Sequence, residues 1–208
     1  MADERESRGC VIGVTGAPGS GKTTVGRMFA DVGAEIVSLD AIGHELLDED
    51  DVREEIRRTF TSGVCRILDG KISRKKLAGV VFANPTELGK LNRILHPRMV
   101  DRVNVRLTQW RHDRPKDGAS GFVIEGALLI EMGLVDLCDR VVLVTAPREE
   151  RLGRLSRARG WDADELARRE QPQLDEDTRR AKADAVVENV GDIDEIRNRV
   201  KTLWEEWT

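Results

Sequence analysis

Residues 16–23 read Gly-Ala-Pro-Gly-Ser-Gly-Lys-Thr, and no other stretch restricts so tightly what this chain can fold into. The string fills every fixed position of G-x-x-x-x-G-K-[ST]. Its glycines let the backbone curl until successive N–H groups point into one small space, an arrangement suited to phosphate oxygens. An apolar run, Cys10–Thr15, precedes it, and an amphipathic stretch, Lys22–Val32 closed by Gly33, follows it. Strand, glycine loop and helix in that order add the positive end of a helix dipole to the loop amides. Lys22 is expected at the β- and γ-phosphates of a nucleotide, and the Thr23 hydroxyl on Mg2+. The expected nucleotide contacts are Gly16, Gly19, Ser20, Gly21, Lys22, Thr23 and Thr24.

Four more short apolar runs follow: Glu35–Leu39, Gly121–Ile124, Arg140–Thr145 and Ala185–Glu188. Most are rich in Val and Ile without polar alternation, as parallel strands covered on both faces require. Helical stretches lie between them: Ala41–Leu47, several from Asp51 to Arg114, then Pro147–Arg159, Ala163–Arg169 and Asp192–Trp207. The alternation predicts an α/β fold, a five-stranded parallel sheet flanked by helices. About eighty residues separate the second and third strands, far more than a crossover needs. Helix signals there are punctuated by Asp69-Gly70, Asn84-Pro85 and His96-Pro97. This insert either covers an acceptor at the sheet's C-terminal edge, where α/β folds bind ligands, or is a structural layer. The expected organisation is a disordered tail over 1–9 and one domain over 10–208. Within it the core takes 10–47, 121–147 and 175–208, the helical insert about 48–120, and a small lid about 148–174.

Charge and cysteine usage exclude other classes. With 34 Lys and Arg against 38 Asp and Glu, the formal charge of −4 argues against a diffuse nucleic-acid-binding surface. Cys10, Cys65 and Cys138 are far apart and form no CxxC, so neither a metal site nor a disulfide framework is implied. The residues Met1–Gly9 hold no apolar leader, and no run is long enough to span a bilayer. A reducing cytoplasm is the expected location, with no membrane and no obligate protein partner.

Acids close two of the strands. Asp40 follows the second strand, where it either takes or orients the proton of an attacking hydroxyl or caps a helix starting at Ala41. Glu125 ends the third strand in Phe122-Val123-Ile124-Glu125-Gly126, as a Walker-B carboxylate does, holding magnesium or orienting a nucleophile. Pairing with a neighbouring cation is the alternative, and Gly126 would let a ligand approach. Arg148, Arg151, Arg154 and Arg157 recur every three residues, with Arg159, Arg168 and Arg169 close by. Such a stripe is either a lid that neutralises a transferring phosphoryl group or a solvated face paired with Glu149, Glu150 and Asp164.

With these residues assembled, the chain resembles the dephospho-CoA kinase family of P-loop kinases from Val11 to Trp204. Ser38-Leu39-Asp40-Ala41-Ile42-Gly43-His44 is similar to the family's D-A-D-x-x-x-H, and Ile94-Leu95-His96-Pro97 to its I-x-H-P. Ala127-Leu128-Leu129-Ile130-Glu131 resembles P-L-L-F-E. Arg169 with Gln173, then Ala183–Gly191, resemble R-x-x-x-Q and A-D-x-V-I-x-N-x-G. The resemblance implies ATP and Mg2+ as cofactors and the ribose 3′-hydroxyl of dephospho-CoA as acceptor, a nucleoside monophosphate or another small acceptor being the alternative. It implies Lys22, Asp40 and Arg154 as catalytic residues, with Thr23 and Glu125 at the metal. Acceptor binding would fall to His44, His96, Glu125, Leu128, Leu129 and Glu131, and Asn189 and Gly191 would lie near the adenine. Ser38, Ala127, Ile130 and Glu125 depart from the family's pattern, and Arg157 and Arg159 straddle the position of one lid arginine. A GTP-binding switch, the rival from another class, would need an N-K-x-D string that the chain lacks.

Overall fold

The structure is a computed structural model that describes residues 9–60, 64, 71–113 and 120–208. Residues 1–8 of the expected tail, Asp69-Gly70 and most of the loop before the third strand lie outside the described residues. Five strands, β1 (Cys10–Gly16), β2 (Ala34–Ser38), β3 (Gly121–Glu125), β4 (Arg140–Thr145) and β5 (Ala185–Glu188), form one sheet. Every pairing is parallel, in the order β2-β3-β1-β4-β5, so the five expected strands and the α/β class are observed. Strands β1 and β3 are buried at every residue, whereas the edge strands β2 and β5 expose some positions. Full burial on two faces is why the central strands show no polar alternation.

The helices are α1 (Lys22–Asp31), α2 (Leu39–Leu46), α3 (Asp50–Thr59), α4 (Arg74–Val81), α5 (Pro85–Asp113), α6 (Arg148–Arg159), α7 (Ala163–Glu170), α8 (Glu176–Ala181) and α9 (Ile193–Trp207). Helix α1 buries Val25, Met28 and Phe29, and α9 buries Ile196, Val200, Leu203 and Trp204, the spacing of a single apolar stripe. Both stripes pack on the sheet face that carries Ile12, Val14, Val123, Val142 and Val187. Fully burying a side chain such as Phe29 contributes about 1.5–3 kcal/mol. On the opposite face Phe122 meets Trp110 of α5, with ring centroids 5.4 Å apart.

The chain divides into two compact units, residues 1–39 with 103–208, and residues 40–102. The first holds the sheet. The second is helical and buries Val52 and Ile56 of α3, Leu77 and Val81 of α4, and Leu91, Ile94 and Met99 of α5. Ion pairs of Arg102 with Glu49 (2.6 Å) and Arg98 with Glu55 (2.8 Å) join α5 to the α3 region.

His96-Pro97, expected as punctuation, does not end a helix: α5 passes through Pro97. An interior proline costs about 3 kcal/mol through a lost N–H and a clash one turn back. Here Arg98 Nη1 donates to the Ile94 carbonyl at 2.7 Å, which supplies one side-chain donor beside the break. The buried stripe continues on both sides through Ile94, Leu95, Met99 and Val103. Among the described residues no helix is long and apolar enough to cross a membrane.

Candidate active site

Strand β1 has a neighbour on each side, and the loop leaves its C-terminal end between them, the switch point where open α/β sheets bind ligands. Gly19 and Gly21 have φ of 79° and 92°, left-handed values that side chains rarely adopt. The turn closes with Ser20 N–H donating to the Ala17 carbonyl at 3.1 Å, and Val25 N–H to Gly21 O at 3.1 Å. Asp162, Asp175 and Asp192 cap α7, α8 and α9 with their side chains. Helix α1 differs: Gly21 offers no side-chain cap, and no acid lies in the first turn. Its first N–H groups, on Lys22 and Thr23, have no intrahelical acceptor, an arrangement that can receive an anion. Lys22 is half-buried, while Thr23 and Thr24 are exposed.

The outside of the loop is held by side chains from the rest of the unit. Asn189 Nδ2 donates to Ser20 O at 2.7 Å, and Arg154 bridges Asn189 O (2.7 Å) and Gly19 O (3.4 Å). Arg151 is buried, paired with Glu170, and donates to Ala146 O at 3.1 Å and Pro18 O at 3.3 Å. Gln173 Nε2 reaches Ala127 O (2.7 Å) and Gly16 O (3.3 Å), linking the end of β1 to the segment after β3. Sequence reasoning passed over Arg151 as one of a stripe and Gln173 as part of a motif; the R-x-x-x-Q spacing was the available signal.

Glu125 is 3% exposed at the end of β3 and receives two hydroxyls: Thr23 Oγ1 at 3.4 Å and Ser38 Oγ at 3.2 Å. A hydroxyl and a carboxylate converging in this way are oxygen donors of the kind a hard divalent cation takes beside substrate phosphates and water. Among the described residues no group of three or more His, Cys, Asp or Glu could hold a metal ion by itself. Room at Gly126 is filled by the protein: a Cβ there would collide with the Leu39 side chain. Helix α2 starts at Leu39, so Asp40 lies in its first turn, exposed, rather than capping a helix that starts at Ala41.

Leu129 is fully buried against Gly13 of β1, which leaves it no surface to offer a ligand, whereas Leu128 is half-buried. Glu131 Oε1 accepts from Leu174 N–H at 2.7 Å. Gly191 (φ 81°) makes the turn between β5 and α9. In the helical unit His44 is exposed and its carbonyl accepts from Arg74 at 3.3 Å. His96 is half-buried, and burial lowers its pKa below the ordinary value, favouring the neutral ring.

The arginine stripe is not uniform. Each three-residue step falls ~60° short of a full turn, so four such positions fan across about half the helix circumference. Arg151 therefore faces inward, Arg154 is half-buried, and Arg157 is exposed with Nε on Gly153 O at 3.2 Å. Arg148 donates to Ala163 O at 3.4 Å. Beyond Gly160, the Trp161 ring carries Arg169 at 4.8 Å and Arg159 at 5.3 Å, both in cation–π contact.

Comparison with known proteins gives one answer. The family model for dephospho-CoA kinase matches residues 10–195. A Corynebacterium jeikeium dephospho-CoA kinase is 38% identical over 194 residues, covering 93% of this chain and 97% of its own. The crystal structure of TT1252 from Thermus thermophilus superposes with a TM-score of 0.76 at 30% identity, covering 97% of this chain and 99% of that one. Dephospho-CoA kinase from Campylobacter jejuni, at 20% identity and a TM-score of 0.62 over 97% and 98% of the two chains, shares the fold. A nucleotide loop with an uncapped helix behind it, a buried carboxylate meeting its threonine, and a family match along most of the chain have one common source: the chain belongs to the dephospho-CoA kinase family.

Proposed function

We propose that this protein transfers the γ-phosphate of ATP to the ribose 3′-hydroxyl of dephospho-CoA, giving coenzyme A and ADP in the cytoplasm. The observation that carries the reading is the open N-terminus of α1, with Lys22 as its first residue and Thr23 against Glu125. The loop amides and Lys22 bind the polyphosphate and offset the charge that spreads over the transferring group. Thr23 and Glu125 are the residues that would hold Mg2+, which when bound would supply positive charge against the phosphates. Asp40 is proposed to orient the acceptor hydroxyl and accept its proton; its carboxylate is exposed and follows β2 by two residues. His44, His96 and Leu128 are proposed as acceptor contacts, with His96 acting as a neutral hydrogen-bonding group.

The test is ADP release measured with dephospho-CoA, AMP, CMP, UMP, gluconate and water alone, on the wild type and on Lys22→Ala. Turnover is expected with dephospho-CoA above every other acceptor, and Lys22→Ala is expected to lower it by orders of magnitude with the fold intact. Equal turnover on AMP, or an unchanged rate in Lys22→Ala, would overturn the reading.

A further inference from the structure

We propose that Asn189 and Arg154 are positioning residues of the phosphate loop: they hold two of its carbonyls outward and thereby aim its amides, so that Asn189 serves the polyphosphate and not the base. The inference rests on the nucleotide reading above and deepens it.

Asn189 is the residue after β5, and it is buried at 9% exposure. Its backbone is anchored, because its N–H donates to Thr145 O at 2.8 Å, just beyond the β4–β5 pairing. From that fixed point the side-chain amide reaches Ser20 O at 2.7 Å, across 169 positions of sequence. The Asn189 carbonyl in turn receives Arg154 Nη2 at 2.7 Å, and the same guanidinium extends Nη1 to Gly19 O at 3.4 Å. Two consecutive loop carbonyls thus have side-chain donors.

A trans peptide carries its C=O and the following N–H in opposite directions. Holding Gly19 O and Ser20 O on the Asn189 and Arg154 side therefore turns the Ser20 and Gly21 N–H groups the other way. Ser20 N–H, so turned, closes the turn on Ala17 O at 3.1 Å, and Gly21 N–H, just before α1, is the amide of the two that is left for the anion. Glycine at 21 is fixed twice over, by its φ of 92° and because a Cβ would fall on the Asn189 amide. The clamp and the glycine are parts of one device. A free loop must adopt this amide arrangement when the anion arrives; a clamped loop holds it beforehand, which lowers the ordering cost of binding.

The experiment compares binding of ADP, GDP and inorganic tripolyphosphate by calorimetry in the wild type, Asn189→Ala and Arg154→Met, with thermal melts to establish folding. Loss of one preorganising hydrogen bond is expected to weaken all three ligands by the same factor, about five- to tenfold, leaving the ADP-to-GDP ratio unchanged. Arg154→Met keeps Asn189 and is expected to give the same uniform loss at smaller size, so the proposal stays testable if Asn189→Ala fails to fold. Unchanged tripolyphosphate binding, or a loss confined to ADP, would overturn the clamp and make Asn189 a base-reading residue. A wild type that binds none of the three would instead overturn the nucleotide reading itself.

Discussion

Truncating Glu170 to alanine is expected to destabilise the sheet-bearing unit more than any surface carboxylate of the same region does. Arg151 is 7% exposed and its guanidinium stays charged at any accessible pH, so its partners decide what its burial costs. Three are present: Glu170, Ala146 O at 3.1 Å and Pro18 O at 3.3 Å. Removing one partner of a buried pair typically costs about 3–5 kcal/mol, because a buried charge is left uncompensated. Two carbonyls remain here, and the Glu170 side chain is 26% exposed, so water can enter where it was. The expectation is therefore about 2–3 kcal/mol, a fall in Tm of about 4–12 °C for a chain of this size. Glu170→Gln keeps an acceptor for Arg151 and is expected to lose about half as much. Glu149→Ala, an exposed acid in the first turn of α6, the helix of Arg151, is the control, within about 0.5 kcal/mol of wild type. Urea and thermal unfolding of the three variants supply the comparison. A Glu170→Ala loss no larger than that of Glu149→Ala would refute the claim that this pair carries stability.

Asp40→Asn is expected to keep the wild-type melting temperature and ATP affinity while kcat with dephospho-CoA falls about a hundred-fold or more, since an amide cannot take a proton; a wild-type kcat would remove Asp40 from the chemistry. Burial, reinforced by Asp139, pushes the Cys10 thiol up to about 11 and the Cys138 thiol up to about 12, from 9.0. In a Cys65→Ser background, both are expected to resist iodoacetamide at pH 8 until the protein unfolds, and alkylation at the rate of an exposed thiol would contradict that. Because both values are raised, the folded state holds these protons longer than the unfolded chain. Their contribution to stability is complete below pH 9.0 and declines as pH rises through about 11 and 12, which alkaline unfolding curves of Cys10→Ala and Cys138→Ala would show.

Local chemistry made much of this protein legible. The glycine string named its own loop, because other residue types rarely take the φ values of Gly19 and Gly21, and the Val- and Ile-rich runs named the strands, because a parallel sheet is buried on both faces. Asp162, Asp175 and Asp192, which cap α7, α8 and α9, are local signals of the same kind, yet the expected helices included none at α8. What the sequence could not yield are partnerships between residues far apart along it. Nothing local shows that Asn189 reaches Ser20, that Ser38 hands its hydroxyl to Glu125, or that Gly126 makes room for Leu39 and not for a ligand. Nor does a spacing of three reveal that Arg151 turns inward while Arg157 stays in water. His96-Pro97 reads as a break because proline's local cost is plain, whereas the burial of Ile94, Leu95, Met99 and Val103 that carries the helix past it comes from packing. Backbone preference and burial periodicity are properties of neighbouring residues, so the sequence by itself determined the loop, the strands and their class. Which donor meets which carbonyl depends on distances set when the sheet closes and its helices dock, so only the tertiary structure decided how the loop is held.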